Sequence, residues 1–273
     1  MCEKEEARWC FSGAAKSFRG GIGVFRFMST DASGAAQQSC GTMTINMSTH
    51  QQHLIAVALA DLHPTQITVG AAEVAVKREQ WAGLKRKARK HTLAAHWFPA
   101  VKGPEGRYYI VDHHHLGMAL HQEDVGTVWV MQLDDLSAIR GEAFWRLMEF
   151  HRWAHPYDAK GKRQGYEAIP SQVSKLHDDP YRSLAGFVRS AGGYAKDAAP
   201  FAEFLWADFF RPLIPRRTLE KSRTQALPVE ALQQAVALAR GPGARYLPGW
   251  TGVSASLSAV SSGLGGTAPV SAE

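Results

Sequence analysis

Between residues 53 and 133 the sequence alternates short apolar runs with turn signals; beyond Asp134 it carries helical spacing alone. That switch limits the fold more than any other feature. Residues 53–60 (HLIAVALA) read as a buried strand entering a turn at Asp61–Pro64. Residues 70–93 have helical spacing, with Val74, Trp81, Leu84 and Ala88 on one face and Gly83 as a weak point. Residues 97–101 and 107–111 flank a Lys-Gly-Pro-Glu-Gly turn and predict a hairpin. Residues 112–121 then predict a loop opening a short helix, and 127–133 (TVWVMQL) another buried strand. Helices are expected at 141–153, 171–177, 180–190, 200–211 and 228–240, with Pro180, Pro200 and Pro228 suited to helix starts. The fold class is therefore α+β. A small α/β unit spans 47–136, an all-helical unit 137–220, and a short helix with an extension 221–250. Residues 1–46 and 251–273 are rich in small residues and show no sustained period, so disorder is expected there.

Charge narrows the function. The formal net charge of +6 comes from 31 bases against 25 acids. Seven of those bases and one acid lie in the window 77–91, which leaves the rest of the chain neutral. A molecule that coats nucleic acid over its whole surface is excluded. The three cysteines, Cys2, Cys10 and Cys40, all precede residue 41, so a disulfide framework, a cysteine zinc site and a thiol nucleophile are excluded from the main body. No run approaches the length of a membrane span. A cytoplasmic protein with no membrane partner is expected. Glycine-rich dinucleotide fingerprints, Walker A, HExxH and GxSxG motifs are absent from the sequence.

Four constellations can carry chemistry. The first is Asp112-His113-His114-His115, delivered by a strand to a helix start. Backbone N–H groups there favour an anion, commonly phosphate. Histidines can donate to phosphate or shuttle a proton near neutral pH. Asp112 can accept a proton, hold a metal through water, or cap the helix. His113 and His115 could face one zinc ion if the segment were extended. The second is the turn 62–70, where His63, Thr65 and Gln66 offer polar groups at a strand end. The third is the basic helix, read as a solvated face or as an electrostatic footprint for a phosphorylated ligand or nucleic acid; Lys77 stands about two turns from its cluster and can point elsewhere. The fourth is Arg182, Ser183 and Asp208 in the helical half. Asp208 falls on the apolar spacing Phe201, Phe204, Leu205, Phe209, so burial and an arginine partner (Arg211, Arg182 or Arg189) are expected.

Several of these blocks occur in the order seen in one known family. HPTQxxVG at 63–70, Val74xxLys77, IVDHHHxxxAL at 110–120, DDPYRSLAG at 178–186, GGYAK at 192–196 and PFAEFxWADFFR at 200–211 resemble the ParB-like nuclease family of the ParB/sulfiredoxin superfamily. Residues 54–211 carry the resemblance, with a weaker echo at 247–249. It implies a compact α/β fold in the first unit and a nucleotide-phosphate site at the block after the hairpin. It implies that Asp112, His114 and His115 contact phosphate or a divalent metal, Mg²⁺ or Mn²⁺. The sulfiredoxin cysteine is missing, which argues against thiol repair. Histidine replaces the arginine of partition proteins and no helix-turn-helix is visible, which argues against centromere binding. The expected activity is phosphodiester cleavage or phosphoryl transfer, with Asp112, His114 and His115 catalytic, Lys77 offsetting charge, and His63, Thr65, Gln66 and His113 binding substrate. The alternative is a non-catalytic nucleotide- or DNA-binding module.

Overall fold

The computed structural model describes residues 54–220 and 227–252. The expected disordered ends at 1–46 and from 253 onward lie outside the described residues. The chain opens on β1 (Leu54–Ala58), a 3₁₀ turn and β2 (Leu62–His63), then β3 (Thr68–Val69). Two helices follow, α1 (Ala71–Ala82) and α2 (Arg86–Ala95). Next come β4 (Phe98–Lys102), β5 (Tyr108–Ile110), α3 (His114–Gln122) and β6 (Thr127–Asp135). The remaining elements are α4 (Gly141–Phe150), β7 (His177–Asp178), α5 (Pro180–Ser190), α6 (Ala202–Phe210), α7 (Arg216–Leu219) and α8 (Val229–Arg240).

The main sheet has the order β1-β6-β4-β5-β2 and is mixed. β4 is parallel to β6 and antiparallel to β5, as the predicted hairpin requires. Its centre buries Phe98, Ala100, Val101, Ile110, Val128 and Val130. α3 is buried from His114 through Leu120, because it packs against α1, the 3₁₀ turns Leu59–Asp61 and Val173–Lys175, and the ring of Phe98. A second core joins α5, α6 and α8 through Tyr181, Leu184, Trp206, Phe210, Ala235 and Ala239. The echo at 247–249 packs there too: Trp206 donates to the Pro248 carbonyl at 2.9 Å and Ala195 to that of Gly249 at 2.7 Å. Among the described residues no helix is long and apolar enough to cross a membrane.

Four local expectations are corrected. The helix expected over 70–93 is two helices, because Gly83 closes α1 and extended Lys85 (φ −70°, ψ 155°) redirects the chain. The strand expected at 53–60 is an edge, with Ala56 and Ala58 exposed, since among the described residues only β6 pairs with it. Residues 171–177 form a single 3₁₀ turn, and the chain then pairs as β7 with β3 (Thr68 opposite His177, Val69 opposite Asp178). Asp208 is exposed, and α6 instead buries Ala202, Phe204, Trp206, Ala207 and Phe210. Arg211 does pair with Asp208, at 2.9 Å, but it also clamps Asp179, the acid that is fully buried, at 2.7 and 3.2 Å.

The β3–β7 pair brings the start of α5 against the start of α1. Asp178 Oδ1 accepts from Ala71 N at 2.8 Å and Ser183 Oγ from Ala72 N at 3.2 Å, so α1 is capped by residues more than a hundred positions away. Gly70 makes that approach feasible, since a Cβ there would sit 2.4 Å from Ser183 Oγ and 2.7 Å from Ser183 N. Gly70→Ala is therefore expected to destabilise the fold by about 1–3 kcal/mol, an overpacking cost. A thermal melt should show a drop of about 2–12 °C; an unchanged melting temperature would rule out the close contact.

Candidate phosphate site at the head of helix α3

α3 begins where β5 ends, and the three histidines take different places there. His114 Nε2 accepts from Thr65 N at 3.1 Å, while Thr65 Oγ1 donates to the Ile110 carbonyl at 2.8 Å. His115 Nε2 accepts from Gly70 N at 2.9 Å. Each ring thus ties the turn 62–70 to α3. Burial holds both rings neutral, His114 down to about 3 and His115 well below the usual imidazole value, with Arg182 adding to both. A neutral ring accepting at Nε2 carries its proton on Nδ1. Neither ring can take a proton or a metal at Nε2 without releasing the turn.

His113 differs. It stands just before α3 in the left-handed region, at φ 67°. Such a backbone costs about 1–3 kcal/mol and persists only where the surroundings enforce it. Asp112 Oδ1 accepts from His113 N at 2.6 Å and so helps hold the turn; its own side chain faces solvent. The His113 ring meets Phe98 edge-on at 5.9 Å and bonds the Trp97 backbone. Its Nδ1 is buried without a hydrogen-bond partner. Burial lowers its pKa; Asp112 opposes that and Lys77 adds to it. The ring is neutral near pH 7 with a lone pair at Nδ1 to offer.

Lys77 comes to the same place from α1. Burial, aided by Arg189 and Arg182 and opposed by Glu73 and Asp112, brings its ammonium down to about 8. Behind it runs a buried ion network. Arg182 Nη1 donates to Glu73 Oε1 at 3.0 Å, its Nη2 lies 3.9 Å from Glu203 Oε2, and Arg189 pairs with Glu203. Burial lifts Glu73 above the usual carboxylate range despite Arg182 and Lys77. Burial would lift Glu203 as well, but Arg182 and Arg189 hold it below that range. Glu73 and Glu203 stand among Lys77, Arg182 and Arg189, while Asp112 acts on Lys77 and Arg182 from the surface. Gly186 makes room for the network, because a Cβ there would meet Glu73 Oε1 at 1.7 Å.

The sequence candidates divide accordingly. Lys77, Asp112, the three histidines, Thr65, Arg182 and Ser183 gather where α1, α3 and α5 begin. Gln66 is buried nearby and braces the turn, donating to the Thr68 carbonyl at 2.7 Å. Asp208 belongs to the surface of α6. His63 lines a separate cavity of about 720 Å³ with Asp61, Arg107, Tyr108 and Gln172. Glu73 and Glu203 were not legible as site residues, although Glu73 lies one turn before Lys77 on the same face of α1. Among the described residues no three His, Cys, Asp or Glu side chains stand close enough to hold a metal. With both Nε2 atoms bonded to backbone, His114 and His115 leave Asp112 as the candidate ligand for the divalent ion that the resemblance implies.

Comparison with known proteins places the whole assembly. No curated protein matches the chain. A solved structure, "Crystal structure of protein Atu1540 from Agrobacterium tumefaciens", is 42% identical with a TM-score of 0.68, covering 74% of this chain and 98% of that one. The family model described as "Putative ParB-like nuclease" matches residues 55–212, the span that holds every element of the site. The chain belongs to that ParB-like family.

Proposed function

We propose that this protein hydrolyses a phosphodiester bound at the head of α3. The observation that supports this reading most is His113: a strained residue with an unused buried Nδ1, beside Lys77, at a helix start whose first-turn N–H groups have no intrahelical partner. The phosphate oxygens accept from those N–H groups and from the Lys77 ammonium. Water attacks phosphorus as His113 Nδ1, which has to open to the bound phosphodiester because it is buried, takes its proton. The bond from phosphorus to the leaving oxygen breaks, and Lys77 gives that oxygen a proton. Asp112 holds the left-handed turn, and His114 and His115 fix the turn 62–70. Arg182 and the network behind it position Lys77. No step is routed through a metal.

The test is a pH profile of turnover on bis(4-nitrophenyl) phosphate. The ammonium form of Lys77 acts, so activity falls as pH rises through about 8. Bound anion favours the ammonium, which places the limb in kcat above the limb in kcat/KM. Lys77→Arg stays charged, so its alkaline limb is expected to move up by at least about one pH unit at a reduced kcat. A limb that stays where it is in Lys77→Arg overturns the assignment.

A further inference from the structure

α2 carries Arg86, Lys87, Arg89, Lys90 and His91, with Lys85 just before it, and it contains no acid. None of its residues is buried. Lys85, Arg86, Lys87, Lys90 and His91 are exposed. For a helix this is an unfavourable arrangement. The bases crowd the positive end of its dipole, where no side chain caps it. Arg86 and Lys90 are like charges one turn apart, a pair that opposes helix formation. Arg89 is occupied otherwise: it lies over Trp81 at 5.3 Å and donates to the Ala82 carbonyl at 3.1 Å, anchoring α2 to α1. The remaining bases add nothing to the stability of the helix, and an external polyanion would relieve them.

The strip also leads to the phosphate site: α2 ends at Ala95, and the ring of Phe98, three residues on, lies 5.9 Å from that of His113. The geometry points to α2 as a docking strip for the phosphate backbone of a nucleic-acid strand, which presents one of its phosphodiesters to His113. The last step rests on the reaction proposed above; the docking does not. Lys85 to Lys90 span about 8 Å of helix, over which one strand of a duplex carries about two phosphates. Lys85, Arg86, Lys87 and Lys90 supply four point charges. A lipid surface fits poorly. An interfacial helix needs large apolar groups to bury, whereas the exposed residues of α2 other than bases are Ala94 and Ala95.

The experiment measures fluorescence anisotropy of a labelled oligonucleotide of about 20 nucleotides, long enough to cover the strip and the site, against salt. The proteins are wild type and Lys85→Gln/Arg86→Gln/Lys87→Gln/Lys90→Gln. The variant is expected to bind at least about tenfold more weakly near 0.1 M salt, and its log–log slope to be shallower by about one to two units. Its melting temperature should equal or exceed wild type, because repulsion is removed. Equal affinity and slope overturn the proposal, as does binding of phosphatidylserine vesicles without binding of oligonucleotide. Should the quadruple variant misfold, Arg86→Glu/Lys90→Glu is read in the same way. Turnover of bis(4-nitrophenyl) phosphate separates the two readings. Binding that depends on α2 without that turnover leaves the strip standing and removes the reaction. Turnover without such binding does the reverse.

Discussion

Replacing His113 with glycine is expected to lower kcat on a phosphodiester about 10²- to 10⁴-fold, the contribution typical of a positioned general base, while leaving the protein no less stable. The two effects have separate causes. His113 holds φ 67°, a conformation that glycine adopts without cost. The substitution removes a strain of about 1–3 kcal/mol, and against this it loses the ring contact with Phe98 and the bond to the Trp97 backbone, so the two sides nearly offset. It also removes a buried nitrogen that has no hydrogen-bond partner. A residue kept for packing would cost stability when lost; one kept for chemistry would cost rate. His113→Asn refines the test, because asparagine tolerates the left-handed region but cannot act as a base. Both variants should melt near or above wild type and both should be inactive. A glycine variant that keeps more than about a tenth of wild-type kcat would remove His113 from the reaction, since that loss falls well short of general-base catalysis.

The elements that enclose this site were mostly legible from the sequence, because turns and periods are local signals. The hairpin at 97–111 followed from its Gly/Pro turn, and the helix after Asp112 from the change of pattern. Roles within the block were not legible. The sequence assigned proton and phosphate chemistry to His114 and His115, yet in the fold each Nε2 meets a backbone N–H 45 or more residues earlier, at Thr65 and Gly70. No local pattern encodes such a pairing. The caps that Asp178 and Ser183 provide for α1 are equally remote. α6 failed for a different reason. It is apolar on nearly every side, so the spacing through Phe201, Leu205 and Phe209 fitted one face while the packing chose the face of Trp206 and Phe210. Leu205 was left 52% exposed, and Asp208 went outward with it.

That error sharpens a prediction about which aspartate bears the weight of the helical half. Asp179 has no exposed surface. Its carboxylate accepts from Tyr181 N at 3.0 Å, which caps α5, and takes two bonds from Arg211. Its own N–H donates to the Val69 carbonyl at 2.8 Å, where β3 meets β7. Asp179→Ala removes the cap and strands the Arg211 guanidinium, whose side chain is only 15% exposed. Breaking a buried pair in this way costs about 3–5 kcal/mol, a fall in melting temperature of about 6–20 °C for a domain of this size. Asp208→Ala breaks a half-exposed pair and is expected to cost at most about 1 kcal/mol. Asp179→Asn keeps an oxygen for Tyr181 N and should fall between them. Thermal and urea melts of the three variants decide the order. A loss below about 1 kcal/mol in Asp179→Ala, the range of a surface ion pair, would mean that α5 is held by its apolar face alone. Since α5 also carries Arg182 and Ser183, loosening its first turn should slow turnover as well, and Asp208→Ala should leave turnover unaffected.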